Sequence, residues 1–165
     1  MQRGTNNSSD SSVTRTAMSS LKIKLTDPVY HSCCRVLYGD TDAGGVVYNA
    51  TYLRFFEQGR SDFMREYVCS YREIEERGFI LPVVESYLRY KAPARYDDLL
   101  TIKTSMQRIS SFSWRFHHHV LTAADNRLLV KGFTVHASVD KAGKLARLPS
   151  DLIALIDQVS SPAAG

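Results

Sequence analysis

The 165-residue sequence has no apolar run long enough to span a bilayer, so no stable membrane insertion through a helix is expected. Cysteine is scarce. Cys33, Cys34 and Cys69 are the only three, an odd number without paired spacing, which argues against a disulfide scaffold and against a zinc knuckle. They read as free thiols in a reducing compartment, and the cytoplasm is the expected location. Several catalytic signatures are missing too. The Gly-rich stretch near residue 40 lacks the Gly-Lys-Ser/Thr ending of a P-loop, and there is no Gly-x-Ser-x-Gly elbow and no His-Glu-x-x-His pair. No internal repeat or interdomain linker interrupts the chain, whose length suits one domain around one core.

What is present is an ordinary globular composition, 44% hydrophobic and 23% charged, with a formal charge of +4. That mild excess suits an anionic partner. A nucleic-acid-binding domain would need a clustered positive face, whereas these lysines and arginines are dispersed along the chain, so no nucleic acid is expected. The first twenty residues are polar, Ser-rich and without hydrophobic periodicity. Residues 1–27 are expected to form a disordered tail without the apolar centre of a secretory signal, and Met18 is a second candidate start. Residues 28–158 are expected to form the single folded domain and 159–165 a flexible C-terminus.

Within that domain, Tyr30 to Tyr38 reads as a strand. Tyr52, Phe55, Phe56, Gly59, Phe63 and Tyr67 recur at spacings of three and four and predict one long helix with an apolar stripe. Asn49 stands where an N-cap belongs. A shorter helical piece, Tyr71 to Arg77, ends at Gly78. The stretches Phe79–Tyr90, Asp98–Arg108, Ser113–Ala123 and Arg127–Asp140 are rich in β-branched and aromatic residues and bounded by turn residues. Their short connections predict an antiparallel meander of four strands. A terminal helix is expected over Asp151–Val159. The order βαββββ, with an aromatic stripe needing cover, predicts an α+β fold in which a curved sheet wraps the long helix.

Chemistry concentrates between Gly39 and Arg60. Asp40 and Asp42 lie in a Gly-rich loop just before a helix N-terminus, which offers free amides and the positive end of the macrodipole. Such amides can stabilise a carbonyl oxygen as it becomes an oxyanion, while a nearby carboxylate attacks the carbon or activates water. Gly44 and Gly45 would allow close approach of backbone to substrate. Turn formation alone also explains Asp and Gly at these positions.

The run Tyr38-Gly-Asp-Thr-Asp-Ala-Gly-Gly-Val-Val-Tyr, continuing to Tyr52, Phe55 and Glu57, resembles the 4-hydroxybenzoyl-CoA thioesterase family of the hotdog fold. It is most similar to the bacterial branch associated with the Tol–Pal gene cluster. The resemblance runs from about Val29 to Leu155 and includes the segment Pro93 to Leu100. It implies hydrolysis of an acyl-CoA or acyl-carrier-protein thioester without metal or other cofactor. Asp42 is then the catalytic carboxylate, and the backbone near Tyr48 and Asn49, with Gly45, positions the thioester and its oxyanion. Many relatives carry a histidine at position 49, where this chain has Asn. Glu57 matches an acidic helix position with an orienting role. A basic cluster that aromatic-substrate members direct at CoA phosphates is not reproduced around Ile109–Phe112. The family also implies a homo-oligomer, a tetramer built as a dimer of dimers, which an unprotected sheet edge would favour independently.

Three rival readings remain. A non-catalytic binder of acyl-CoA or acyl carrier protein would share the fold, but binding alone does not require Asp42. The triplet His117-His118-His119 suggests a metal, yet on a strand His118 faces away from the other two, so solvent-facing or core-edge positions are expected. Asp40 and Asp42 could coordinate magnesium, but no phosphate-binding companion motif accompanies them.

Overall fold

The computed structural model describes residues 23–162. The first strand, β1, spans Tyr30–Arg35 and is followed by a 3-10 turn at Tyr38–Asp40. The long helix α1 covers Thr51–Tyr67, and its stripe is buried as the spacing predicts: Tyr52, Phe55, Phe56, Gly59 and Phe63 all face the core. A short helix α2, Tyr71–Glu76, starts at Ser70 with a reciprocal cap. The Ser70 hydroxyl accepts from the Glu73 amide while the Glu73 carboxylate accepts from the Ser70 amide.

The remaining strands are β2 Phe79–Ile80, β3 Val83–Tyr90, β4 Leu99–Arg108, β5 Ser113–Thr122, β6 Leu128–Ala137 and β7 Val139–Asp140. Helix α3, Ser150–Val159, and a last strand β8, Ser160–Pro162, close the chain. Two predicted strands are broken: Phe79–Tyr90 around Leu81 and Pro82, and Arg127–Asp140 at Ser138. The first break follows from Pro82, which has no N–H for the ladder.

The sheet is antiparallel in the order β1-β4-β5-β6-β3, and β8 adds in parallel to β4 beyond the end of β1. The predicted four-strand meander is therefore only three strands long. β3 pairs with β6 at the far edge instead of with its sequence neighbour β4. Residues 91–98 carry the chain across. Eight extended residues reach roughly 26 Å, ample for the three strand spacings to be crossed. Pro93 disfavours a tight hairpin there. Hydrogen bonds to Leu129, Val47 and Val36 hold the crossing segment in place.

The helix docks closely on the sheet because Gly59 has no side chain. A Cβ at that position would lie 2.5 Å from Thr104 Oγ1 and 2.8 Å from Ile102 Cγ2. Two apolar clusters flank this contact, one around Phe55, Phe56, Ile102 and Val130, the other around Phe63, Trp114, Phe116 and Ile156. Arg77 forms a two-pronged pair with Asp151, and one guanidinium nitrogen of Arg108 donates to both carboxylate oxygens of Asp157, fixing α3 to the body.

The folded chain begins earlier than the expected boundary at 28. Ile23 packs on the outer sheet face against Phe133 and Val135. It also runs past 158, since Ser160–Pro162 pairs with β4. The rest of the expected tail, residues 1–22, and the C-terminal residues 163–165 lie outside the described residues. Among the described residues, no helix is long and apolar enough to cross a membrane.

Candidate active site

The two loop aspartates have different surroundings. Asp40 is buried; its carboxylate accepts from the Leu37 amide at 2.8 Å and pairs with Arg54 of α1. Its own carbonyl accepts from the Tyr48 amide at 2.8 Å, tying the start of the loop to its end. Asp42 is exposed and begins a tight turn, in which its amide donates to the Val46 carbonyl and its carbonyl accepts from the Gly45 amide, both at 2.9 Å. One carboxylate oxygen, Oδ1, accepts from the Gly44 amide at 2.8 Å. The other has no partner among the described residues. Gly45 closes the turn at φ +73°, a conformation that side chains with a Cβ rarely adopt. Its carbonyl accepts from the Arg95 guanidinium at 3.4 Å.

A bridge between Thr41 and Val47 closes the turn, and the Val47 amide donates to the Ala94 carbonyl at 2.9 Å. The chain then enters α1 through a turn at 48–50. Ala50, not Asn49, is the N-cap residue, already at φ −71°, ψ −21°, and no side chain caps the helix. The expected Asn49 cap fails because the bond from the Thr51 amide to the Tyr48 carbonyl, at 2.9 Å, tightens this turn one residue before the helix. Asn49 contributes its carbonyl instead, accepting from the Tyr90 hydroxyl at 3.0 Å. The absence of a capping side chain leaves the amide end of α1 open. Among the described residues, the Asn49 and Ala50 amides have no backbone acceptor. These are the donors that an incoming carbonyl oxygen would meet, at the positive end of the helix.

A pocket of about 320 Å³ opens beside this turn. Val46, Val47, Asn49 and Tyr52 form one wall, and Tyr90, Lys91, Ala92 and Pro93 the other. Burial pushes the phenols of Tyr52 and Tyr90 above their usual pKa, so both stay neutral and Tyr90 remains a donor. Of the predicted site residues, only Asn49 lines this pocket. Asp42 and Gly45 occupy the adjoining turn, Tyr48 is 53% exposed between them, and Glu57 faces solvent further along α1. The second wall escaped sequence reasoning. Tyr90 to Pro93 lie more than forty residues from the loop, and no local spacing signals the Val47–Ala94 pairing.

The rival metal centres are not assembled. Asp40 is committed to Arg54 and the Leu37 amide, so it does not pair with Asp42 around a cation. His118 was expected at the surface or the core edge, but it is completely buried under α1, stacked on Phe56 at 4.4 Å and bonded to Thr104 at 3.0 Å. Its ring lies beside Gly59, where a Cβ would sit 3.6 Å from Nδ1. His117 points to the other face and meets Gln107 at 3.1 Å. The three cysteines are free, and burial raises the Cys34 thiol to about 11, which keeps it protonated.

This architecture, a five-stranded antiparallel sheet around one long helix with an open helix N-terminus beside an aspartate turn, is the hotdog fold of thioesterases. A family model described as the thioesterase-like superfamily matches residues 36–156, and the chain belongs to that family of enzymes. The acyl-CoA thioester hydrolase YbgC of Escherichia coli O6:H1 is 34% identical over 125 residues, covering 75% of this chain and 92% of that protein. Among solved structures, protein TT1821 from Thermus thermophilus is 30% identical with a TM-score of 0.74, covering 79% of this chain and 97% of that one. The 1,4-dihydroxy-2-naphthoyl-CoA thioesterase Slr0204 from Synechocystis superposes with a TM-score of 0.73 over 78% of this chain and 96% of its own. At 24% identity, that likeness concerns the fold.

Proposed function

We propose that the protein hydrolyses an acyl-CoA thioester, with acyl carrier protein as an alternative thiol carrier, using Asp42 as the catalytic carboxylate. The observation that carries this reading is the pairing of an accessible aspartate, one of its carboxylate oxygens unpartnered, with an uncapped helix N-terminus. The thioester carbonyl oxygen sits on the free amides of Asn49 and Ala50, since the Tyr48 amide is held by the Asp40 carbonyl, and Gly45 lets the substrate approach the backbone. Asp42 takes a proton from water as the water oxygen adds to the carbonyl carbon. Alternatively its carboxylate adds first, forming a mixed anhydride that water then cleaves. In either route the carbon–sulfur bond breaks, the thiolate leaves and is protonated, and the free acid is released. Negative charge develops on the carbonyl oxygen, where the amides strengthen their hold as the reaction proceeds. No metal or cofactor is required by this chemistry.

The ungapped loop from Tyr38 to Val47 supports placement in the Tol–Pal-associated branch, and the free thiols support a cytoplasmic location. Edge strand β3, with Val83 and Val84 exposed, supports a homo-oligomer, a tetramer formed as a dimer of dimers. The solvent-facing Glu57 has an orienting or structural role in this reading and is not the attacking group. Thiol release from a panel of acyl-CoA and acyl-carrier-protein thioesters tests the activity. Turnover of one acyl class is the expected result, and silence across both carriers would leave a binding module.

A further inference from the structure

Strand register collects five basic residues on the sheet face that points away from α1. His31 of β1 pairs with Lys103 of β4, Lys103 with His119 of β5, His119 with Lys131 of β6, and Lys131 with Arg89 of β3. Paired residues share a face, and strands lie about 4.8 Å apart, so the five side chains form one row about 19 Å long. Among the described residues, no carboxylate forms an ion pair with any of the five. The ion pairs among the described residues use Arg35, Arg54, Arg65, Arg77 and Arg108. Burial, and then the ammonium groups of Lys131 and Lys103, lower the pKa of the His119 imidazole between them.

The row is bordered differently on its two sides. On one side, Ile23 covers Phe133, and the Thr26 amide donates to Ser105 at 3.2 Å, so residues 23–26 stand above the sheet as a rim. On the other side the paired residues Thr101 and Leu121 carry no charge. The fixed positive charges of Lys103, Lys131 and Arg89 thus lie along one line beside a raised edge, with the His119 imidazole between the two lysines.

We propose that this row docks an acidic α-helix of a partner protein. Carboxylates three or four residues apart on a helix lie about 5–6 Å from one another and those seven apart about 10.5 Å, close to the one-strand step from Arg89 to Lys131 and the two-strand step from Lys131 to Lys103. The rim fits a rod lying beside it and holds a flat lipid surface away. Single-stranded nucleic acid would need an open aromatic platform, but Tyr87 is stacked on Phe133 at 5.6 Å beneath Ile23. A second copy of the chain would present the same sign. The row lies on the face opposite the pocket, so the proposal stands whether or not the thioesterase reading holds.

The test is fluorescence anisotropy of the full-length protein with a labelled Ala/Glu helix carrying Glu at three- and four-residue spacing. Wild type should bind it, with affinity falling as salt rises. The Lys103→Gln/Lys131→Gln variant should weaken binding by at least about tenfold with an unchanged circular-dichroism spectrum. Arg89→Gln, at an exposed edge position, should weaken it by roughly two- to threefold without touching the core. Equal binding by all three proteins overturns the proposal. So does tighter binding of wild type to a single-stranded oligonucleotide or to phosphatidylserine vesicles, or no helix binding up to about 1 mM at low salt.

Discussion

Asp40 and Asp42 are two residues apart in one loop, yet the turns that carry them are built for opposite purposes. The Asp40 turn is closed: a buried carboxylate, its Arg54 partner and the Leu37 amide satisfy one another. The Asp42 turn is open, its carboxylate engaging only the Gly44 amide among the described residues. The comparison teaches that a loop can hold a reactive group in solvent only when a neighbouring group anchors the loop. Rigid support and chemical availability are divided between two identical side chains.

Asp42→Asn should break the open half most severely. It keeps the shape and removes the charge, so thiol release is expected to fall by about a hundred- to ten-thousandfold, with the melting temperature unchanged. Wild-type turnover in that variant would end the assignment.

Acid should act elsewhere, on the buried histidines of both sheet faces. Burial lowers His117 and His136 to about 4 and His118 well below its usual value. Their folded-state pKa values lie below the unfolded value near 6.5, so the unfolded chain binds protons first as pH drops. Stability should therefore fall steadily between about pH 6.5 and 4, by about 1.4 kcal/mol per pH unit for each buried histidine. Urea midpoints at a series of pH values read this directly, and a flat profile would contradict it.

Asp40→Ala should damage the closed half. It leaves the Leu37 amide and Arg54 without their partner at a cost of about 2 kcal/mol, less than the roughly 3–5 kcal/mol of a fully buried pair, because Arg54 is 54% exposed. Chemical denaturation checks the loss. Activity should decline less than in the Asp42 variant. The smallest effect is expected from Tyr90→Phe, which removes the donor to the Asn49 carbonyl. A loss of about 1 kcal/mol, or roughly fivefold in kcat/KM, would show that the far wall of the pocket helps to position the helix entrance.

By itself the sequence determined the local elements. The stripe from Tyr52 to Phe63 repeats with the period of a helix, and the strands carry β-branched and aromatic residues between turn formers, so both were legible within a window of a dozen residues. The loop chemistry was legible too, because Asp42, Gly45 and the helix start are contiguous. Only the tertiary structure decided what depends on distant pairing. It sent β3 to the far edge, brought Tyr90 to Pro93 to the loop, and buried His118 against Phe56 and Thr104. It also separated the roles of Asp40 and Asp42, since Arg54 lies fourteen residues from Asp40. The basic residues are dispersed along the chain but aligned across five strands. Periodicity tells a residue which face of its own strand it occupies; register, settled by the packing of the whole core, chooses its neighbours.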